Sequence, residues 1–195
     1  MPSAVKSFML ALLAIAAAAC SAIGAAEPPR QYTDEKTAAT ITVVAKPWVF
    51  ARSRRDLAAN ARDYVTLAAA AVDRAGRIEY VLVAYVWSTL DERLDPERRR
   101  DTSTLLIAAD DRRIELTAPL ASPEDVGIAD PVLPPPGPLR IPQVYRIDLA
   151  TLRFLAAARK VSVLLGTDPV APVYDLWSDG RSALGSLVDD ASAAR

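Results

Sequence analysis

Apolar and polar positions alternate with a period of two along the middle of the chain. The clearest runs cover residues 64–73 and 78–87, and a glycine-containing turn at residues 74–77 separates them. This alternation is typical of β-strands, and two such runs around a short turn predict an antiparallel hairpin. A second hairpin is predicted for residues 102–109 and 112–118, which turn through Asp110 and Asp111.

The pattern outside the hairpins predicts further strands and two helices. Shorter β-rich runs occupy residues 40–50, 143–147, 161–166 and 173–177. The period changes to 3.6 at two places near the C-terminus, where an apolar stripe follows an N-cap residue. The first stripe follows Asp148 and the second follows Ser178 or Asp179; their apolar members are Leu149, Leu152, Leu155 and Ala156, and Leu184, Leu187 and Val188.

A proline-rich segment, residues 119–142, divides this pattern. Proline lacks a backbone donor and fixes φ, so the segment is predicted to be an irregular loop. Residues 143–195 are too few to build a stable core without disulfides or metal, so the strands on both sides of the loop must share one core. The prediction is a single α+β domain over residues 40–195, with a mostly antiparallel sheet of about seven or eight strands and two short C-terminal helices packed on it.

The N-terminal residues 1–26 have the composition of a secretion signal. A single positive charge at Lys6 precedes twelve apolar residues, 8–19, and small residues follow around Cys20. Crossing a bilayer as a helix takes about 20 apolar residues, so a permanent transmembrane anchor is not expected. The polar residues 27–39 are predicted to be a tether between this leader and the domain.

The end of the leader, Ala17-Ala18-Ala19-Cys20, resembles the lipobox of bacterial lipoproteins. The resemblance implies that Cys20 becomes the lipidated first residue of the mature protein and anchors it to a membrane. Ser21 follows the cysteine where aspartate would retain such a protein in the inner membrane, which implies the outer membrane. The alternative is ordinary signal cleavage after Ala26, which would release a soluble periplasmic or secreted protein.

Composition then excludes whole classes of chemistry. The chain has no histidine, its single cysteine is Cys20, and its two methionines are Met1 and Met9. The mature chain therefore has no Ser-His-Asp or Cys-His nucleophile, no disulfide and no ordinary zinc, haem or iron–sulfur ligands. No metal or other cofactor is expected. With 23 basic and 24 acidic residues, the charge is balanced and predicts no nucleic-acid partner.

Aromatic residues on predicted strands are the remaining candidates for ligand contact. Trp48, Trp87, Trp177 and Tyr85 fall on strands or strand ends, where they could line a binding site for a sugar or an apolar ligand. Packing in the core or on a sheet face is the alternative, since strands are rich in aromatics. Tyr80 and Trp87 are an odd number of residues apart, so they must point to opposite faces.

These observations predict a non-catalytic, exported protein of the cell envelope, acting as a lipid-anchored binding or assembly module. Its expected partners are the membrane, reached through the lipid anchor, and an envelope protein or a small ligand. The alternative is a hydrolase of cell-wall or polysaccharide material that works with paired carboxylates, because Asp and Glu remain available for such chemistry.

Overall fold

The computed structural model describes residues 27–90, 101–118, 122–134, 142–168 and 170–193. Within them, ten strands and two α-helices form an α+β fold of the predicted class. The strands are β1 (Arg30–Asp34), β2 (Ala39–Val43), β3 (Trp48–Ser53), β4 (Arg62–Arg74), β5 (Arg77–Ser88), β6 (Thr104–Ala109), β7 (Arg112–Thr117), β8 (Gln143–Ile147), β9 (Val161–Leu165) and β10 (Tyr174–Ser178). The helices are α1 (Leu149–Ala157) and α2 (Arg181–Ala193), and Pro123–Val126 form a short 3-10 helix.

The β4–β5 hairpin is the centre of the sheet. Ala75 and Gly76 both have positive φ, 53° and 84°, as a tight two-residue hairpin turn requires. The Asp73 carboxylate accepts a hydrogen bond from the Gly76 N–H at 2.8 Å. Twelve consecutive residue pairs join the two strands, from Arg74 opposite Arg77 to Asp63 opposite Ser88. This confirms the predicted hairpin, including its extended alanine run.

All other strands extend from this hairpin. One edge of β4 pairs with β5, which in turn pairs with β8. The other edge pairs with β3 along its first half and with β2 along its second half. From β3 the sheet continues through β10, β9, β6 and β7, and from β2 it continues to β1. Strands from both sides of the proline-rich segment therefore belong to one sheet, and the pairings between them are antiparallel.

Both helices cover one face of the sheet, which we call the helix face. Asp148 caps α1 by accepting a hydrogen bond from the Thr151 N–H at 2.7 Å, and Leu152 and Leu155 of α1 are fully buried. In α2 the predicted apolar stripe is buried, and α2 packs against α1 and β4. Both predicted helices are confirmed. No helix among the described residues has the length and apolar composition needed to cross a membrane.

The opposite, outer face of the sheet is partly covered by residues 122–134, which we call the covering segment. Its apolar side chains are buried, namely Val126, Ile128, Val132 and Leu133. Gly127 has φ of 92°, and a Cβ there would lie 3.1 Å from Val72 Cγ1. Glycine thus provides both the turn and the close approach to the sheet. The irregular conformation predicted for this segment agrees with the structure.

The Asp34 carboxylate holds the covering segment in place. It is 2% exposed and accepts hydrogen bonds from the N–H groups of Ala129 and Asp130, at 2.7 and 3.1 Å. The N–H groups of Lys36 and Thr37 donate to its other oxygen. Burial alone would raise the pKa of Asp34, but these four donors outweigh it and the pKa lies below its ordinary value of 3.8.

Two predictions need correction. Residues 27–39 are not simply a tether, because Arg30–Asp34 form the edge strand β1, whose polar side chains obscured its pairing with β2. Residues 40–50 are not one strand, because the chain breaks around Pro47 and β2 and β3 pair with different halves of β4. Proline cannot supply the ladder donor that a continuous strand would need there. The sheet therefore has more strands than expected.

Candidate functional site

The structure separates the four aromatic residues singled out in the sequence. Trp48 lies on the helix face and is 4% exposed. Tyr85 lies on the outer face but is buried beside the covering segment, where its hydroxyl accepts a hydrogen bond from the Leu133 N–H at 3.4 Å. Trp87 and Trp177 lie on the part of the outer face that the described residues leave open, and each ring contacts Tyr64. Cys20 lies outside the described residues.

Trp87 and Trp177 belong to a cluster with two residues that the sequence reasoning missed, Arg62 and Tyr64. The Tyr64 and Trp87 rings are stacked, with centroids 4.0 Å apart and planes at 11°. Trp177 meets Tyr64 edge-on at 6.3 Å and 81°. The Arg62 guanidinium lies 4.6 Å from the centre of the Trp177 ring, a cation–π contact. We call these four residues the aromatic cluster.

Strand pairing and one irregularity assemble the cluster. The hairpin places Tyr64 opposite Trp87, and the Trp87 indole N–H donates to the Thr66 hydroxyl at 3.1 Å. In β10, the pairing with β3 shifts between Leu176 and Ser178, so Trp177 sits at a β-bulge. Bulges redirect side chains and are common next to functional sites. Trp177 is consequently 57% exposed, although its ring contacts Tyr64, which is buried.

Two open clefts flank β10 beside the cluster. The first, of about 480 Å³, lies toward β3 and β4; its walls include Ser53, Arg62, Pro172, Val173 and Trp177. The second, of about 500 Å³, lies toward β9 and β6; its walls include Ala108, Asp110, Arg159, Lys160 and Ser162. Asp175 and Leu176 line both clefts. The two clefts therefore meet across β10.

The far end of the second cleft is held by a network of hydrogen bonds. The Asp110 carboxylate accepts hydrogen bonds from the backbone N–H groups of Lys160 and Arg159, at 2.9 and 3.0 Å, and these donors lower its pKa. Arg181 pairs with Asp179 and donates to the Arg159 carbonyl at 2.9 Å. The loop that carries Arg159 and Lys160 is thus fixed from both sides.

Asp110 of the second cleft is not suited to be the general acid of a glycoside hydrolase. Asp110 and Asp175 both line the cleft, and the general acid of such an enzyme is a carboxyl group with a raised pKa. The pKa of Asp110 is lowered instead, and both of its oxygens accept backbone hydrogen bonds.

Across the part of the chain that the structure describes, no group of three or more His, Cys, Asp or Glu side chains could hold a metal ion.

The sequence did contain a signal for part of the cluster. Counting outward from the turn at Ala75 and Gly76 places Tyr64 opposite Trp87, so their contact follows once the turn is assigned. The contact of Trp177 with Tyr64 does not follow, because it depends on β3 lying between β4 and β10 and on the bulge. No local pattern predicts either feature.

No family model, curated protein or solved structure matches this chain. Its function is therefore inferred from the side chains of the aromatic cluster and the two clefts.

Proposed function

We propose that this chain is an exported, non-catalytic binding protein of the cell envelope, anchored to a membrane by a lipid on Cys20. It contacts its ligand through the aromatic cluster and the clefts beside it. The observation that carries the proposal is the exposure of Trp177 at a β-bulge, between Arg62 and the Tyr64–Trp87 stack.

The exposed part of a large aromatic side chain contributes little to stability, because its apolar area stays in water. Trp, Tyr and Arg are also the residues that contribute most energy at binding surfaces. The ring contacts and the Trp87–Thr66 hydrogen bond hold these side chains in place before any ligand arrives. Such preorganisation reduces the entropy lost on binding.

The membrane anchor is supported by the lipobox-like residues before Cys20. Ten positions separate Cys20 from Arg30 at the start of β1, and an extended chain of that length reaches at most about 35 Å. A lipid on Cys20 would therefore keep the domain close to the membrane surface.

The anchor is tested by following processing and location of the protein in a bacterial host. The Cys20→Ser variant, or treatment of the unaltered protein with globomycin, should leave unprocessed precursor and remove the lipidated form from the outer membrane. Unchanged processing and a soluble product would contradict the anchor and indicate cleavage near Ala26.

The contact surface is tested with a photo-crosslinking amino acid placed at position 177 of the full chain in cells. The matched control carries it at position 170, where the native valine is 83% exposed and lines neither cleft. We expect adducts with envelope material at position 177 and not at position 170. Absence of adducts at position 177, or equal labelling at both positions, would overturn the proposal.

A further inference from the structure

We propose that the ligand is a linear acidic glycan that lies along both clefts and crosses β10 over Asp175. This inference rests on the proposed function, because it names the ligand class of the same surface.

The shape of the site fits a chain rather than a compact molecule. Register places small side chains, Ala51, Ser162 and Ala108, in line with Asp175 on the outer face of β3, β10, β9 and β6. The row meets β4 at Tyr64, two residues from Arg62 on the same face, so it crosses five strands and spans about 19 Å at the usual strand spacing. Both clefts are open, whereas sites for small molecules usually enclose most of the ligand surface.

Trp177 supplies a platform for a sugar ring. Arg62 lies over its ring, and with 57% of the residue exposed, aromatic surface remains available to a ligand. The face of an aromatic ring carries negative potential, which attracts the weakly positive C–H groups on the face of a pyranose. The hydroxyl groups at the edge of the same sugar would meet Asp175 and Ser53, which line the cleft beside Trp177.

The charges of the site favour carboxylates on the ligand. Arg62 lies beside the β4 end of the row and lines the first cleft, and Arg159 and Lys160 line the second cleft. Among the described residues, the Arg62 guanidinium contacts the Trp177 ring, and no carboxylate pairs with it. A guanidinium presents a planar fork of donors that matches a carboxylate. Asp175, between the basic ends, would accept hydrogen bonds from hydroxyl groups.

The same features weigh against a protein partner. The centre of a protein–protein interface is apolar and depleted of charged residues. Here an aspartate lies at the centre of the row and its cross-strand neighbours Ala51 and Ser162 are small. The apolar residues Pro172, Val173 and Trp177 line only the first cleft. A polar chain with many hydroxyl groups matches this surface better.

The test uses the processed protein in native gels that contain polygalacturonate, a linear acidic glycan, or dextran, a neutral one. We expect retardation by polygalacturonate and much less by dextran. In titrations with oligogalacturonates, affinity should rise with length up to a chain of about 19 Å. Added salt should weaken binding, because part of the attraction is between charges near the surface.

Variants locate the binding site. Trp177→Ala should lower affinity about tenfold, as expected for a central aromatic contact, and Trp177→Phe should retain most of the binding. Arg62→Gln should lower affinity several-fold. The matched control is Arg112→Gln, because Arg112 also lies over an aromatic ring, that of Phe154 at 4.3 Å, but lines neither cleft. This control should bind like the unaltered protein.

The outcomes separate this inference from the proposed function. Equal retardation by both polysaccharides, or retardation unchanged in Trp177→Ala and Arg62→Gln, would overturn the glycan site. Absence of retardation together with a protein crosslinked at position 177 would also overturn it while leaving the binding function standing. Absence of retardation without any crosslink at position 177 would overturn both.

Discussion

The outer face of the β4–β5 hairpin has two halves that differ in cover and composition. In the half near the turn, Val72 and Val81 lie with Ile41 of β2, and all three are buried. In the other half the aromatic cluster remains partly exposed beside open clefts. One sheet face thus serves stability at one end, where aliphatic side chains are removed from water, and carries the proposed contact surface at the other.

The boundary between the two halves is the residue pair Thr66 and Tyr85, which lie opposite each other on β4 and β5. The Tyr85 hydroxyl accepts the Leu133 N–H from the covering segment. The Thr66 hydroxyl accepts the Trp87 indole N–H from the aromatic cluster. Each half therefore begins with a hydrogen bond to this pair, and the difference between the halves can be tested one side chain at a time.

The largest expected effect is in the covered half. Ile41 is fully buried, so Ile41→Ala should lower the free energy of unfolding by about 2–5 kcal/mol through lost apolar contact and a residual cavity. Urea unfolding would show this as a lower midpoint at unchanged slope. A cost below about 0.5 kcal/mol would mean that this half is not a packed core.

Releasing the covering segment should lower the free energy of unfolding almost as much as Ile41→Ala does. In Asp34→Asn, an amide NH₂ replaces one acceptor oxygen, so either Ala129 and Asp130 or Lys36 and Thr37 lose their acceptor. Leaving buried N–H groups unpaired costs about 1–3 kcal/mol each, so we expect a loss of about 2–4 kcal/mol at neutral pH. Exchange of the Ala129 and Asp130 amide protons should accelerate in the variant.

The same carboxylate predicts a dependence on pH. Because the folded pKa of Asp34 lies below its ordinary value of 3.8, its contribution is present above about pH 4 and is lost as the pH falls through the folded pKa. The stability difference between the unaltered protein and Asp34→Asn should therefore shrink as the pH falls below about 4. A difference that stays constant over this range would show that ionised Asp34 does not hold the segment.

A smaller effect is expected at the boundary. Tyr85→Phe removes the acceptor of the Leu133 N–H but keeps the buried ring. The bond is long, at 3.4 Å, so the loss should be about 0.5–1.5 kcal/mol in urea unfolding. Glycan binding should not change, because Tyr85 lines neither cleft. Weaker binding in this variant would mean that the two halves are coupled.

The predictability of the two halves differs for physical reasons. The hairpin followed from alternation and its turn, because strand pairing around a two-residue loop is a local property. The position of the covering segment could not be predicted, because it depends on hydrogen bonds from the Ala129 and Asp130 N–H groups to Asp34, which is far away in the sequence. Edge strand β1 was missed because Arg30, Gln31 and Thr33 are exposed and interrupt any apolar alternation. The contact between Trp177 and Tyr64 could not be predicted either, because it depends on the order of the strands in the sheet.

The central claim, that the open half serves contact rather than stability, is tested most directly by Trp177→Ala measured in two ways on one preparation. Because Trp177 is largely exposed but contacts Tyr64 and Arg62, the free energy of unfolding of the variant should fall by only about 0.5–1.5 kcal/mol, while its affinity for polygalacturonate falls about tenfold. A loss of stability like that of Ile41→Ala, with binding unchanged, would contradict the account.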